Sequence, residues 1–82
     1  MTTQNIPNSF RFHRQKAGLR QIDVAAKLGL TSYARISHWE HGTAFPSVRN
    51  LFRLAALYGT MPHELYSEMW NTITVPTDLQ DE

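Results

Sequence analysis

Apolar residues recur at helical spacing over most of the chain, and small polar or glycine residues mark where each run stops. Phe10, Arg14 and Ala17 share one face of a first helix, residues 9–17, which Asn8 or Ser9 can cap and Gly18 closes. Val24, Ala25 and Leu28 make the stripe of a second helix, residues 21–28, ended by Gly29. A third, residues 32–41, starts at a cap from Thr31 or Ser32 and turns Ile36 and Trp39 to one side, with Glu40 beside them. The strongest stripe is Val48, Leu51, Leu54, Ala55 and Tyr58, in a fourth helix at 47–58 that Ser47 caps and Gly59 ends. Pro62 suits the first turn of a fifth helix, residues 62–70, which carries Leu65, Tyr66, Met69 and Trp70. Residues 71–75, NTITV, alternate polar with apolar and read as a short strand. The pattern predicts an all-α domain of five helices over residues 9–70. A flexible N-terminus, 1–8, precedes it, and a tail, 71–82, follows, with a dimerisation strand and then a disordered acidic end.

The third helix has two unlike sides. Opposite Ile36 and Trp39 stand Thr31, Ala34, His38 and His41, flanked by Arg35 and Ser37. Most surface helices carry a solvated polar arc, and that is the bland reading here. The sharper one is that hydroxyls, imidazoles, a guanidinium and a methyl are the groups that read base edges and phosphates. Arg14 raises a separate question, because an arginine on an inward face is costly unless paired. Glu40 lies on the inward side of the third helix, so the two should form an ion pair.

Charge sharpens the reading. Residues 1–53 hold all eight Arg and Lys against only Asp23 and Glu40, a balance of +6, while residues 54–82 hold five acids and no Arg or Lys, a balance of −5. That split, hidden in a net +1, is expected when one end of a domain meets a polyanion. With 82 residues there is room for one small core, and the absence of cysteine excludes a disulfide scaffold and any thiolate metal site. No run approaches the ~20 apolar residues of a membrane helix. The start, MTTQNIPNS, does not read as a secretory signal, so a cytoplasmic location is expected. His38 and His41 share a helix face, but no carboxylate or cysteine stands at ligand spacing beside them, so no metal or other cofactor is expected. No phosphate loop, paired-carboxylate motif or nucleophile elbow is present, and the chain is not expected to be an enzyme.

Several short motifs together resemble a known family. They are Arg14, GLRQ at 18–21, VAAKLGL at 24–30, ISHWEHG at 36–42, Pro46-Ser47 and the L-x-x-L-A-x-L-Y-G run at 51–59. In order and spacing they resemble the phage-repressor and Cro-like (XRE-like) helix-turn-helix family, over about two-thirds of the chain. The resemblance implies a five-helix lambda-repressor-like DNA-binding domain with the third helix in the major groove. It also implies a backbone-phosphate contact from Gln21 and an internal pair between Arg14 and Glu40. Three departures stand out. The stretch from Gly29 to Ile36 is one residue longer than usual, which can shift or extend the start of the third helix. Trp39 replaces a smaller aliphatic residue, and Thr43-Ala44-Phe45 stands where basic residues are common.

The expected function is a sequence-specific DNA-binding transcriptional regulator of repressor type. Base readout would come from Ser32, Tyr33, Ala34, Arg35, Ser37 and His38, and phosphate contacts from Arg20, Gln21, Thr31, His41 and Thr43. The expected partner is double-stranded DNA carrying an inverted repeat, met by a homodimer whose interface uses Leu65, Tyr66, Met69, Trp70 and Ile73. The alternative is an antitoxin or protein-interaction module that grips a partner protein through the C-terminal third. No membrane partner is expected.

Overall fold

The computed structural model describes residues 5–75. Its elements are α1 (Phe10–Lys16), α2 (Gln21–Lys27), α3 (Ala34–His41), α4 (Val48–Tyr58), a 3-10 turn (Pro62–Tyr66) and α5 (Ser67–Thr72). Among the described residues there is no strand. Asn71 and Thr72 complete α5, and Ile73 leaves it in an extended conformation, so the alternation of NTITV marks a helix end rather than a strand within the subunit. The expected disordered end from Pro76 onward lies outside the described residues.

Phe10, Val24, Ala25, Ile36, Trp39, Leu54, Ala55, Tyr58, Leu65 and Tyr66 form one core, drawn from α1 to α4 and the 3-10 turn. Ala25 at the middle of α2 lets a neighbouring helix come close, and Phe10 meets Tyr66 edge to face with ring centroids 5.2 Å apart. Ser47 caps α4 by accepting the Asn50 N–H at 3.1 Å, which sets the phase of the stripe behind it. Two expected inward residues face water instead. Val48 is 70% exposed because it is the first residue of α4 and lies short of the core, and Ala17 is exposed past the end of α1.

The last helical segment departs most from its pattern. A continuous helix over 62–70 would place Leu65 with Met69 and Tyr66 with Trp70. The chain makes a 3-10 turn first, started by Glu64, whose carboxylate accepts the Met61 N–H at 2.8 Å, and this turn sends both Leu65 and Tyr66 into the core. Neither is therefore available to a dimer interface. Of the five expected interface residues, Met69 is half-buried and only Trp70 and Ile73 are well exposed.

The expected loose N-terminus is tied down from Ile6 onward. The Ile6 N–H donates to the Gly42 carbonyl at 2.8 Å, and Asn8 Nδ2 donates to the carbonyls of Ile6 (3.0 Å) and Glu40 (3.3 Å). Gly42 ends α3 with φ of 76°, and a Cβ there would lie 2.2 Å from the Ile6 carbonyl oxygen. Glycine is required at this crossing for both reasons.

Candidate nucleic-acid interface

The helix-turn-helix unit is α2, the turn at 28–33 and α3. Gly29, with φ of 74°, turns the chain after α2, and the Leu30 N–H returns to the Ala25 carbonyl at 2.9 Å. Residues 31–33 go into the turn, not into the helix. Ser32 Oγ accepts the Ala34 N–H at 3.1 Å, so Thr31, Ser32 and Tyr33 form a bend and α3 begins at Ala34, two residues later than the pattern indicated. Burial of Ile36 and Trp39 fixes the rotation of α3 regardless of where it starts.

Behind α3 lies an ion pair. Arg14 Nε meets Glu40 Oε2 at 2.5 Å and Arg14 Nη2 reaches Oε1 at 3.2 Å, with side chains only 10% and 4% exposed. Arg14 Nη1 donates to the Leu19 carbonyl at 2.9 Å, and Gln21 Nε2 donates to Glu40 Oε1 at 2.9 Å. The hydrogen bond to Glu40 holds the Arg14 guanidinium more firmly protonated than a free arginine, against the opposing effect of burial. One carboxylate thus joins α1, α2 and α3, and its charge is cancelled before it can weaken the positive outer face.

That outer face carries Ala34, Arg35, His38 and His41, all exposed, with Ser37 half-buried between them. Arg35 and His38 border a cleft of about 270 Å³ with Phe45 and Asn50, so α4 contributes an amide beside these two residues of α3. Asn50 escaped the sequence reading because it sits in the fourth helix's polar face, and only the tertiary crossing brings it there. His38 Nδ1 lies 3.3 Å from Thr43 Oγ1, and the Thr43 hydroxyl is 3.2 Å from the His38 carbonyl, so the loop after α3 holds this ring. Ser32 and Tyr33 stand at the turn, and Tyr33 is 52% exposed.

The phosphate set is less uniform. Thr31, His41 and Thr43 are exposed. Gln21 turns its amide inward onto Glu40, which leaves one of its two amide hydrogens for another acceptor. Arg20 is exposed but forks onto Asp23, with Nε and Nη2 each 3.0 Å from a carboxylate oxygen. Asp23 also accepts the Arg20 N–H at 2.9 Å, and these bonds hold its carboxyl down at about 2. Lys27 and Arg53 line a different groove, between α2 and α4. Among the described residues no group of histidines and carboxylates is arranged to hold a metal ion, and no helix is long and apolar enough to cross a membrane.

Comparison with known proteins agrees with this geometry. No curated protein and no solved structure matched the chain. A family model described as helix-turn-helix matches residues 11–65, a span that runs from α1 through the unit to the 3-10 turn and covers most of the chain. Its order of elements, its glycine turn and its partly solvent-facing third helix are those of an XRE-like DNA-binding domain, and the chain belongs to that helix-turn-helix family.

Proposed function

We propose that this protein is a sequence-specific transcriptional regulator of repressor type that sets α3 in the major groove. The observation that carries the reading is the outward arc of α3. Ala34, Arg35 and His38 are exposed on a helix whose other side is locked by Ile36, Trp39 and the Arg14–Glu40 pair. Arg35 reaches guanine O6 and N7, Ala34 packs on a thymine methyl, and Ser32, Tyr33, Ser37 and His38 complete base readout. Arg20, Gln21, Thr31, His41 and Thr43 hold phosphates, Arg20 after swinging from Asp23. The protein acts in the cytoplasm as a homodimer on an inverted repeat, because one short helix covers only a few base pairs. The dimer contact falls to Trp70, Ile73 and the exposed side of Met69.

Selection from a random duplex library followed by shift assays tests this. One sequence should be enriched, and log K should fall with log salt with a slope of roughly −4 to −5 per subunit. Arg35→Ala and His38→Ala should each relax preference at one base pair, at about 1–3 kcal/mol for a lost bidentate contact. No enriched sequence sinks the reading. Light scattering with and without Trp70→Ala tests the dimer, and a chain that stays monomeric on the palindrome removes it. A second reading, an antitoxin-like module that grips a protein, draws on the exposure of Trp70, Ile73 and Val75 in an acidic third of the chain. It predicts a stable complex with a partner that Trp70→Ala disrupts while DNA binding persists.

A further inference from the structure

Arg11 has no role in the readings above, yet it stands beside α3. It lines a cleft of about 370 Å³ with Arg14, Gln21, Ser37, Glu40 and His41, between α1, α2 and the end of α3. Arg11 is exposed and, among the described residues, forms no ion pair. The acid on the cleft floor, Glu40, is already bound by Arg14 and Gln21. The cleft therefore keeps an uncompensated guanidinium at its mouth.

His41 closes the other side with a defined polarity. Its Nδ1 lies 2.7 Å from the Ser37 carbonyl oxygen. A carbonyl only accepts, so Nδ1 carries the hydrogen in the neutral ring and Nε2 is left as a lone pair. A neutral His41 offers that free nitrogen to an anion as an acceptor and repels it, whereas an imidazolium offers an N–H. The charged groups facing His41 across the cleft are Arg11 and Arg14 of α1 and Glu40 of its own helix, while α2 presents the uncharged Gln21.

We propose that Arg11 and His41 form a seat for one DNA backbone phosphate, and that filling it draws a proton onto His41 Nε2. The inference rests on the DNA-binding reading and adds a contact from α1 to it. The seat carries no sequence information, since a phosphate looks alike at every step. It fixes how far α3 slides along the groove, because α1 and α3 hold the same phosphate from two sides.

The test uses the full chain and the duplex enriched by selection, in salt series at about pH 6 and about pH 8. Arg11→Gln should weaken binding to all sequences alike and make the salt slope shallower by about one unit per subunit, with the enriched sequence and the melting temperature unchanged. Wild-type affinity should rise as pH falls, and His41→Gln should diminish that rise. Lys27→Gln, in the groove between α2 and α4, serves as the control and should leave the slope as it was. An Arg11→Gln slope equal to wild type, or a His41→Gln pH profile that overlays wild type, overturns the seat while DNA binding stands. A wild-type chain that binds no duplex overturns both, and shows it before any variant is made.

Discussion

Replacing Arg14 by alanine should strongly destabilise the domain, although the residue stands next to the proposed DNA face. Truncation removes both contacts to Glu40 and the bond to the Leu19 carbonyl. Glu40, 4% exposed, keeps only the Gln21 amide. Removing one partner of a buried pair costs about 3–5 kcal/mol, because the remaining charge is stranded. A small domain has about 5–15 kcal/mol in total, and each kcal/mol moves the melting temperature by about 4–8 °C at this size. The expected loss is therefore on the order of 12–40 °C. Thermal and urea melts followed by circular dichroism measure it. A double variant, Arg14→Met with Glu40→Leu, separates the stranded charge from lost packing. Replacing both partners by apolar groups is often neutral or better, so the double variant should recover most of the stability that Arg14→Ala loses. An Arg14→Ala protein that melts within about 2 °C of wild type would refute the argument, since that lies below the effect of even 1 kcal/mol.

Two glycines with nearly equal backbone angles give a controlled comparison. Gly42→Ala meets both a positive φ of 76° and the Ile6 carbonyl 2.2 Å away, whereas Gly59→Ala, at φ of 70°, meets nothing within 4 Å. Gly59→Ala should cost about 1–2 kcal/mol and Gly42→Ala clearly more, so equal losses in a urea melt would show that the N-terminal segment yields freely. Tyr66 Oη is buried with no hydrogen-bond partner among the described residues, and burial pushes its hydroxyl up to about 12. Tyr66→Phe should leave stability unchanged or raise it by about 1 kcal/mol, and a marked loss in the melt would reveal a partner for the hydroxyl. Asp23, held at about 2 by the Arg20 side chain and N–H, has a folded value below the usual carboxylate range. Its contribution to stability is present above that range and is lost as pH falls through about 2. In Arg20→Ala the Asp23 titration followed by NMR should move up toward an ordinary carboxyl, and an unmoved midpoint would assign the shift to another source.

Where one physical requirement had few ways to be met, the sequence was readable. An arginine on an inward face needed an acid, the basic part of the chain offered only Asp23 and Glu40, and the two side chains meet at 2.5 Å. Gly18, Gly29 and Gly59 turned left-handed after their helices, and Ser47 capped α4, because these positions obey local rules. What escaped was decided by competition between near-equal choices. Thr31, Ser32 and Tyr33 can all enter a helix, and the Ser32 hydroxyl held the Ala34 N–H outside one. Leu65 and Tyr66 could have split between core and surface in an α-helix, but Glu64 started a 3-10 turn and both were buried. The Gln21 amide had a phosphate role by resemblance, while its geometry in this chain depends on where Glu40 falls, 19 residues away.

If α3 is the DNA-facing helix, the distribution of charge gives the pair behind it a part in binding as well. The basic residues of the chain are not on one surface: Lys27 and Arg53 lie in the groove between α2 and α4, Arg20 is held by Asp23, and Arg14 is consumed by Glu40. Arg11, Arg35, His38 and His41 line the clefts beside α3. On the proposed reading, positioning on DNA depends on how firmly each of these groups is held. Glu40 provides that firmness by joining three helices through one carboxylate, and cancelling its own charge keeps the local field positive. A Glu40→Gln exchange would preserve much of the shape but leave Arg14 with a neutral acceptor. The face would then become more positive while α3 became less fixed. Non-specific attraction and sequence preference should therefore move in opposite directions, which a purely electrostatic account of the interface does not allow.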